Sequence, residues 1–141
     1  MRYWDASAIV PLVIAESTSD TVRGWLHDDA DLVTWAWTRV ELASAVERRA
    51  RQGRLDRTER RACLDRFAEL GRAWDEVVDL HSVRSHALAL LARHPLRAAD
   101  AAQLGAALVV AEGDPSSLDF VCLDEQLALA ADREGLRVVS N

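Results

Sequence analysis

The stretch Phe120-Val121-Cys122-Leu123-Asp124-Glu125-Gln126-Leu127-Ala128-Leu129-Ala130-Ala131-Asp132-Arg133-Glu134-Gly135-Leu136-Arg137-Val138-Val139-Ser140 decides the fold. It holds a short apolar run, an acid, an amphipathic segment closed by glycine, and a second run rich in valine. The pattern predicts a strand over 119–123, a helix over 125–133 and a strand over 137–140. A helix between two strands leaves them parallel, joined by a right-handed crossover. The same alternation extends back to the start of the chain. A strand is expected at 2–4, an apolar helix at 7–16, an amphipathic helix at 19–27 and a strand at 31–35. Helices at 38–52 and 57–74 follow, separated by Gly53, then a strand at 76–80. A helix at 82–93 stops near Pro95, and one at 98–112 ends at Gly113. The expected fold is a three-layer α/β/α sandwich with a central parallel sheet of four to five strands. In such sheets, sites form beyond the carboxyl ends of the strands, where the strand order switches.

The chain has 141 residues, half of them hydrophobic and 28% charged. That length suits one domain over 1–141, and neither a linker nor an internal repeat divides it. The longest apolar run, 8–15, falls far short of the ~20 residues a membrane helix needs. Met1-Arg2 leads straight into Tyr3-Trp4-Asp5 with no signal-peptide core, so a cytoplasmic location is expected. Cys63 and Cys122 match neither a metal spacing nor a disulfide framework. All 17 basic residues are arginine. The absence of lysine excludes P-loop phosphate binding and Schiff-base catalysis. The net charge of −6 argues against a nucleic-acid partner, but the distribution does not. Residues 39–72 carry ten arginines against six acids, whereas the remainder carries seven against 17.

Two acids follow strands at the functional edge. Asp5 follows Arg2-Tyr3-Trp4, and Asp124 follows Phe120-Val121-Cys122-Leu123. Either one alone reads first as a helix N-cap. Asp100 sits in Ala98-Ala99-Asp100-Ala101-Ala102-Gln103-Leu104, on one row with Leu104 and Leu108 in an apolar helix. A carboxylate on such a row needs a partner or a metal, unless it only serves the helix dipole in the first turn. Glu41 fits a capping box, Thr38-Arg39-Val40-Glu41, and points away from the stripe of Leu42, Ala43, Val46 and Ala50. The five tryptophans read mainly as packing, although any of them can stack a base. The four histidines form no ligand spacing. The basic run containing Arg48, Arg49, Arg57, Arg60 and Arg61 reads either as a solvated helix face or as an RNA or partner surface.

Taken together, these residues resemble the PIN-domain ribonucleases, and within them the VapC-type toxins, over essentially the whole chain. Tyr3-Trp4-Asp5-Ala6-Ser7-Ala8 is similar to the family's opening, and Glu41 in Thr38-Arg39-Val40-Glu41-Leu42-Ala43-Ser44-Ala45 to its second acid. Leu96-Arg97-Ala98-Ala99-Asp100-Ala101-Ala102-Gln103-Leu104 matches its most diagnostic segment, and Phe120-Val121-Cys122-Leu123-Asp124 its last. Cys122 stands where the family commonly has Thr or Ser, so a carboxylate but no hydroxyl contribution is expected there.

The resemblance implies a catalytic set of Asp5, Glu41, Asp100 and Asp124. Asp5 and Asp100 would be ligands of Mg²⁺ or Mn²⁺, and Ser7 would orient Asp5 or a water. All-oxygen ligation suits those ions, and four converging carboxylates would otherwise repel. It further implies an RNA substrate cleaved by an activated water, a VapB-type antitoxin as partner, and a homodimer, with no membrane association. Two other readings compete. A HAD-type phosphatase also opens with a strand, Asp, any residue and Ser or Thr, but Ser7 replaces its second acid and lysine is absent. A non-catalytic PIN-type interaction module would not be expected to keep all four acids.

Overall fold

The sheet is built outward from the strand that starts the chain. The computed structural model describes residues 1–141. Strands β1 (Arg2–Trp4), β2 (Leu32–Trp35), β3 (Asp75–Val77), β4 (Asp119–Val121) and β5 (Arg137–Val139) lie in the order β3-β2-β1-β4-β5, and every neighbouring pair is parallel. The chain moves from β1 to one edge of the sheet, then crosses back to pair β4 with β1, Tyr3 opposite Phe120 and Trp4 opposite Val121. The strand order therefore switches between β1 and β4.

Helices α1 (Ala6–Val13), α2 (Ser19–Asp28), α3 (Thr38–Arg51) and α4 (Arg57–Leu70) fall between β1 and β3 in the chain. Helices α5 (Leu80–Arg93) and α6 (Ala98–Ala111) precede β4, and α7 (Glu125–Arg133) joins β4 to β5. Side chains alternate along each strand, and the core divides accordingly. Tyr3, Val33, Phe120 and Cys122 pack with α5, α6 and α7, whereas Trp4, Leu32 and Val121 pack with α1, α2 and α3. A third cluster of Val13, Ile14, Ala45, Val46 and Cys63 joins α1, α3 and α4. The Tyr3 and Phe120 rings stack with centroids 5.5 Å apart. The expected three-layer α/β/α sandwich is observed, and its parallel sheet has five strands, within the expected four to five.

Three boundaries differ from expectation by three residues or more, each for a local reason. Helix α1 stops at Val13, not at residue 16, because the Ser19 hydroxyl donates to the carbonyls of Pro11 (2.7 Å) and Ile14 (3.3 Å) and so supplies partners for the last turn. Helix α4 stops at Leu70, not at residue 74, and Arg39 donates to the Gly71 carbonyl at 2.7 Å. Strand β3 covers 75–77 rather than 76–80, because Asp79 caps α5 through Ser82 N (3.0 Å) and Ser82 Oγ (2.6 Å). Glycine matters most at Gly105. A Cβ there would lie 2.9 Å from the Val83 carbonyl, so α6 approaches α5 more closely than any side chain allows. Gly53 does close α3 as expected, with φ of 73°.

Candidate active site

Asp5 leaves the central strand at the switch point. Its backbone N–H donates to Val121 O at 3.0 Å, and its side chain caps α1 by accepting from Ser7 N at 3.0 Å. The cap and the site are therefore one residue in two roles. Asp5 is 3% exposed. Burial pushes its carboxyl up to about 6, Asp100 adds to the rise, and hydrogen bonds from Ser7 oppose it. Asp124 has the same double character, because it caps α7 by accepting from Leu127 N at 2.9 Å.

Asp100 occupies the first turn of α6, half-buried rather than sunk in the row below it. Burial raises its carboxyl, Asp124 raises it further, and Arg97 opposes both. Arg97 Nε lies 3.5 Å from Asp100 on a side chain that is 85% exposed, so the ion pair is weak.

Glu41 is not part of a capping box, which corrects the sequence reading. Trp37 caps α3 without a side-chain bond, and Thr38 is fully buried inside the helix. The capping box of this region belongs to Asp56 and Glu59, at the start of α4. The buried face of α3 holds Thr38, Leu42, Ala45 and Val46, and Glu41 borders it. Its Oε1 accepts from Gln103 Nε2 on α6 at 2.9 Å. Burial pushes the Glu41 carboxyl up to about 7, with Asp5 and Asp100 adding and Gln103 opposing.

All four acids line one open cavity of about 500 Å³, together with Ser7, Trp37, Val40, Ser44, Arg48 and Arg97. No three His, Cys, Asp or Glu side chains sit closely enough to enclose an ion by themselves. The donor set nevertheless fits a hard divalent cation. Mg²⁺ is commonly held by one or two carboxylates while water fills its other positions, and oxygen donors without thiolate or imidazole favour it. Ser7 contributes in a way the sequence did not show. Its backbone N–H holds Asp5, while its hydroxyl accepts from Leu123 N at 3.0 Å and ties α1 to the end of β4. Cys122 is fully buried, with Sγ 3.4 Å from Asp124 O and 3.8 Å from Asp5 Oδ2. Burial and Asp5 hold its thiol protonated, so it acts as a weak donor beneath the site.

The five arginines of the basic run separate. Arg48 reaches the cavity. Arg49 pairs with Glu16 and is mostly buried, Arg60 makes a forked pair with Glu47, and Arg61 lies 3.3 Å from Asp65. Arg57 is exposed at the start of α4 and makes no ion pair. Among the tryptophans, Trp4, Trp35 and Trp74 are buried, whereas Trp37 is 60% exposed at the cavity rim. Sequence reasoning missed Gln103. Its signal was an amide in a helix of alanine, leucine and valine, three residues after Asp100.

The PIN domain family matches residues 2–111. Ribonuclease VapC35 of Mycobacterium tuberculosis, from strains CDC 1551 / Oshkosh and ATCC 25618 / H37Rv, is 30% identical over 142 aligned positions, covering 99% of this chain and 96% of that protein. Among solved structures, the crystal structure of PAE2754 from Pyrobaculum aerophilum superposes with a TM-score of 0.70 at 21% identity, covering 99% of this chain and 90% of that one. That likeness extends the fold to β4, α7 and β5, which lie beyond the family match. With its four acids gathered at the β1–β4 switch, the chain belongs to the PIN-domain family, as a member of its VapC type.

Proposed function

We propose that residues 1–141 act as one domain, a divalent-metal-dependent endoribonuclease that serves as the toxin of a toxin–antitoxin pair. The observation that carries this reading is the convergence of Asp5, Glu41, Asp100 and Asp124 on one cavity, with three of the four carboxyls raised. Four acids against two arginines in one cavity leave an excess of negative charge that a bound cation would offset. Asp5 and Asp100 would hold Mg²⁺ or Mn²⁺, one from a strand end and one from a helix start. Held there, the ion would supply a water of lowered pKa and offset charge at the scissile phosphate. Glu41, whose carboxyl burial raises in the metal-free site, borders the cavity where it would act as the base. Asp124, fixed as a cap, would hold a water or a second ion. Arg48 and Arg97 stand at the rim, where the flanking phosphates of an RNA strand would pass.

A small VapB-type antitoxin would cover this cavity, the toxin would be a homodimer, and the pair would act in the cytoplasm. No helix of the chain is long and apolar enough to cross a membrane. Incubation of the purified protein with RNA, with and without Mg²⁺ or Mn²⁺, tests the activity. Cleavage that stops with EDTA and in Asp100→Asn protein supports it. Cleavage that survives both would assign the activity to a contaminant. Native mass spectrometry, alone and after coexpression with a small VapB-type protein encoded beside it, should one be found, tests the dimer and the partner.

A further inference from the structure

Helix α6 is apolar along nearly its whole length, yet it encloses an amide completely. Gln103 is 0% exposed, and every polar atom of its side chain is engaged. Its orientation follows from its neighbours. An ionised Glu41 can only accept, so the amide nitrogen must face it, at 2.9 Å. The amide oxygen then accepts from the Tyr3 hydroxyl at 2.7 Å. The second N–H goes to Thr38 Oγ1 at 2.9 Å. Thr34 donates to the Trp4 carbonyl at 2.7 Å, so the 2.8 Å contact between the two threonine hydroxyls is donated by Thr38. The hydrogen bonds therefore run in one direction, from Tyr3 through Gln103 to the carbonyl immediately before Asp5. Tyr3, Thr34 and Thr38 are likewise fully buried.

We propose that Gln103 is a positioning residue for Glu41. Its N–H fixes one carboxylate oxygen while the side chain still borders the cavity, and Tyr3 and Thr38 hold the amide against rotation. A buried amide is costly unless satisfied, and a leucine in its place would complete the apolar helix. The one charged partner of this amide is the acid at the cavity. This inference rests on the ribonuclease reading for its kinetic consequence, but not for its geometric one.

Gln103→Leu and Tyr3→Phe test it, the second keeping the stacked ring. Gln103→Leu should lower kcat by roughly tenfold to a hundredfold, as loss of an orienting partner commonly does, with KM for RNA unchanged. Tyr3→Phe should lower it less and in the same direction. In the Glu41→Gln background, Gln103→Leu should cause no further loss, because the group it positions is already gone. An equal loss in both backgrounds would mean that Gln103 acts through packing alone, which overturns the proposal. A readout independent of activity is the ¹³C carboxyl resonance of Glu41, identified by its disappearance in Glu41→Gln. It should move in Gln103→Leu, or in Tyr3→Phe if the leucine variant does not fold. An unmoved resonance also overturns the proposal. A moved resonance in protein that cleaves no RNA would sink the ribonuclease reading and leave the positioning role standing.

Discussion

The cavity at the β1–β4 switch and the arginine-rich helices α3 and α4 treat charge in opposite ways. Along residues 39–72, Arg39 pairs with Glu76, Arg49 with Glu16, Arg60 with Glu47 and Arg61 with Asp65, and Arg66 donates to the Val13 carbonyl. Half of that run is thus engaged within the protein. Arg60 holds the Glu47 carboxyl below its ordinary value. At the cavity the shifts run upward, because the acids are desolvated and face one another, and their one ion pair is with the exposed Arg97, 3.5 Å from Asp100. The density of charge in a sequence therefore says less than whether the fold pairs it. Four of the ten arginines that draw the eye are ion-paired locally, whereas Asp5, Glu41 and Asp124 at the cavity have no ion pair.

The largest effect should come from breaking the unpaired side of this contrast. Asp100→Asn and Asp5→Asn should each reduce RNA cleavage on the order of a thousandfold, several kcal/mol of transition-state charge stabilisation. Calorimetry with Mn²⁺ should show weakened binding in both. Asn caps as well as Asp, so α1 should keep its N-terminus in Asp5→Asn. Unchanged metal affinity in both variants would remove these residues from the metal site. Glu41→Gln should cost about a hundredfold, within the usual range for a positioned acid or base. Because Glu41 caps nothing, that variant should unfold at the wild-type temperature or above. Wild-type cleavage by Glu41→Gln would reinstate the capping reading, because Gln also serves at that position of a capping box.

The contrast also marks where the sequence was legible. Strand–helix alternation gave the layer order, because four of the five strands carry adjacent apolar residues (β3, Asp75-Glu76-Val77, is the exception) and glycines stop helices, as at Gly53 and Gly113. Asp5, Asp100 and Asp124 were legible because an acid at a strand end or a helix start is a local feature. Glu41 was legible only through the family resemblance. Thr38-x-x-Glu41 satisfies a local rule, and the contact that overrides it comes from Gln103, 62 residues away. The arginine pairs were hidden for the same reason, since Arg49 meets Glu16 across 33 residues and Arg39 meets Glu76 across 37.

A second test uses pH without metal. The folded Asp5 carboxyl, at about 6, lies above its unfolded value of 3.8, so the folded state binds its proton more tightly. Its contribution to stability is complete below pH 3.8, declines as pH rises to about 6, and is flat above. For this deeply buried group the decline amounts to about 3 kcal/mol. In EDTA, chemical denaturation of wild type and Asp5→Asn should therefore diverge between pH 4 and 6, the variant gaining relative stability. Mn²⁺ should reduce the divergence, because a bound cation favours the ionised acid. Parallel pH curves in EDTA would show that Asp5 is not desolvated as the fold implies.

The smallest effect concerns the paired side, and it separates net charge from available charge. Arg48 lines the cavity without an ion pair, whereas Arg60 is forked onto Glu47. Removing Arg60 alone would expose Glu47 and change the field as much as the contact. The informative variant is therefore Arg60→Ala with Glu47→Ala, which removes the pair at constant net charge. RNA titrations of Asp100→Asn protein at several salt concentrations supply the readout. Arg48→Ala should weaken binding a few-fold and flatten the salt dependence by ~0.7 in slope, the value for one phosphate contact to a single strand. The Arg60/Glu47 double variant should leave both affinity and slope where they were. Arg57, exposed and unpaired on α4, should resemble Arg48 if the RNA path extends that far. Equal flattening by the double variant would mean that the ion pair opens to meet phosphate, and pairing in the free protein would then no longer distinguish the two regions.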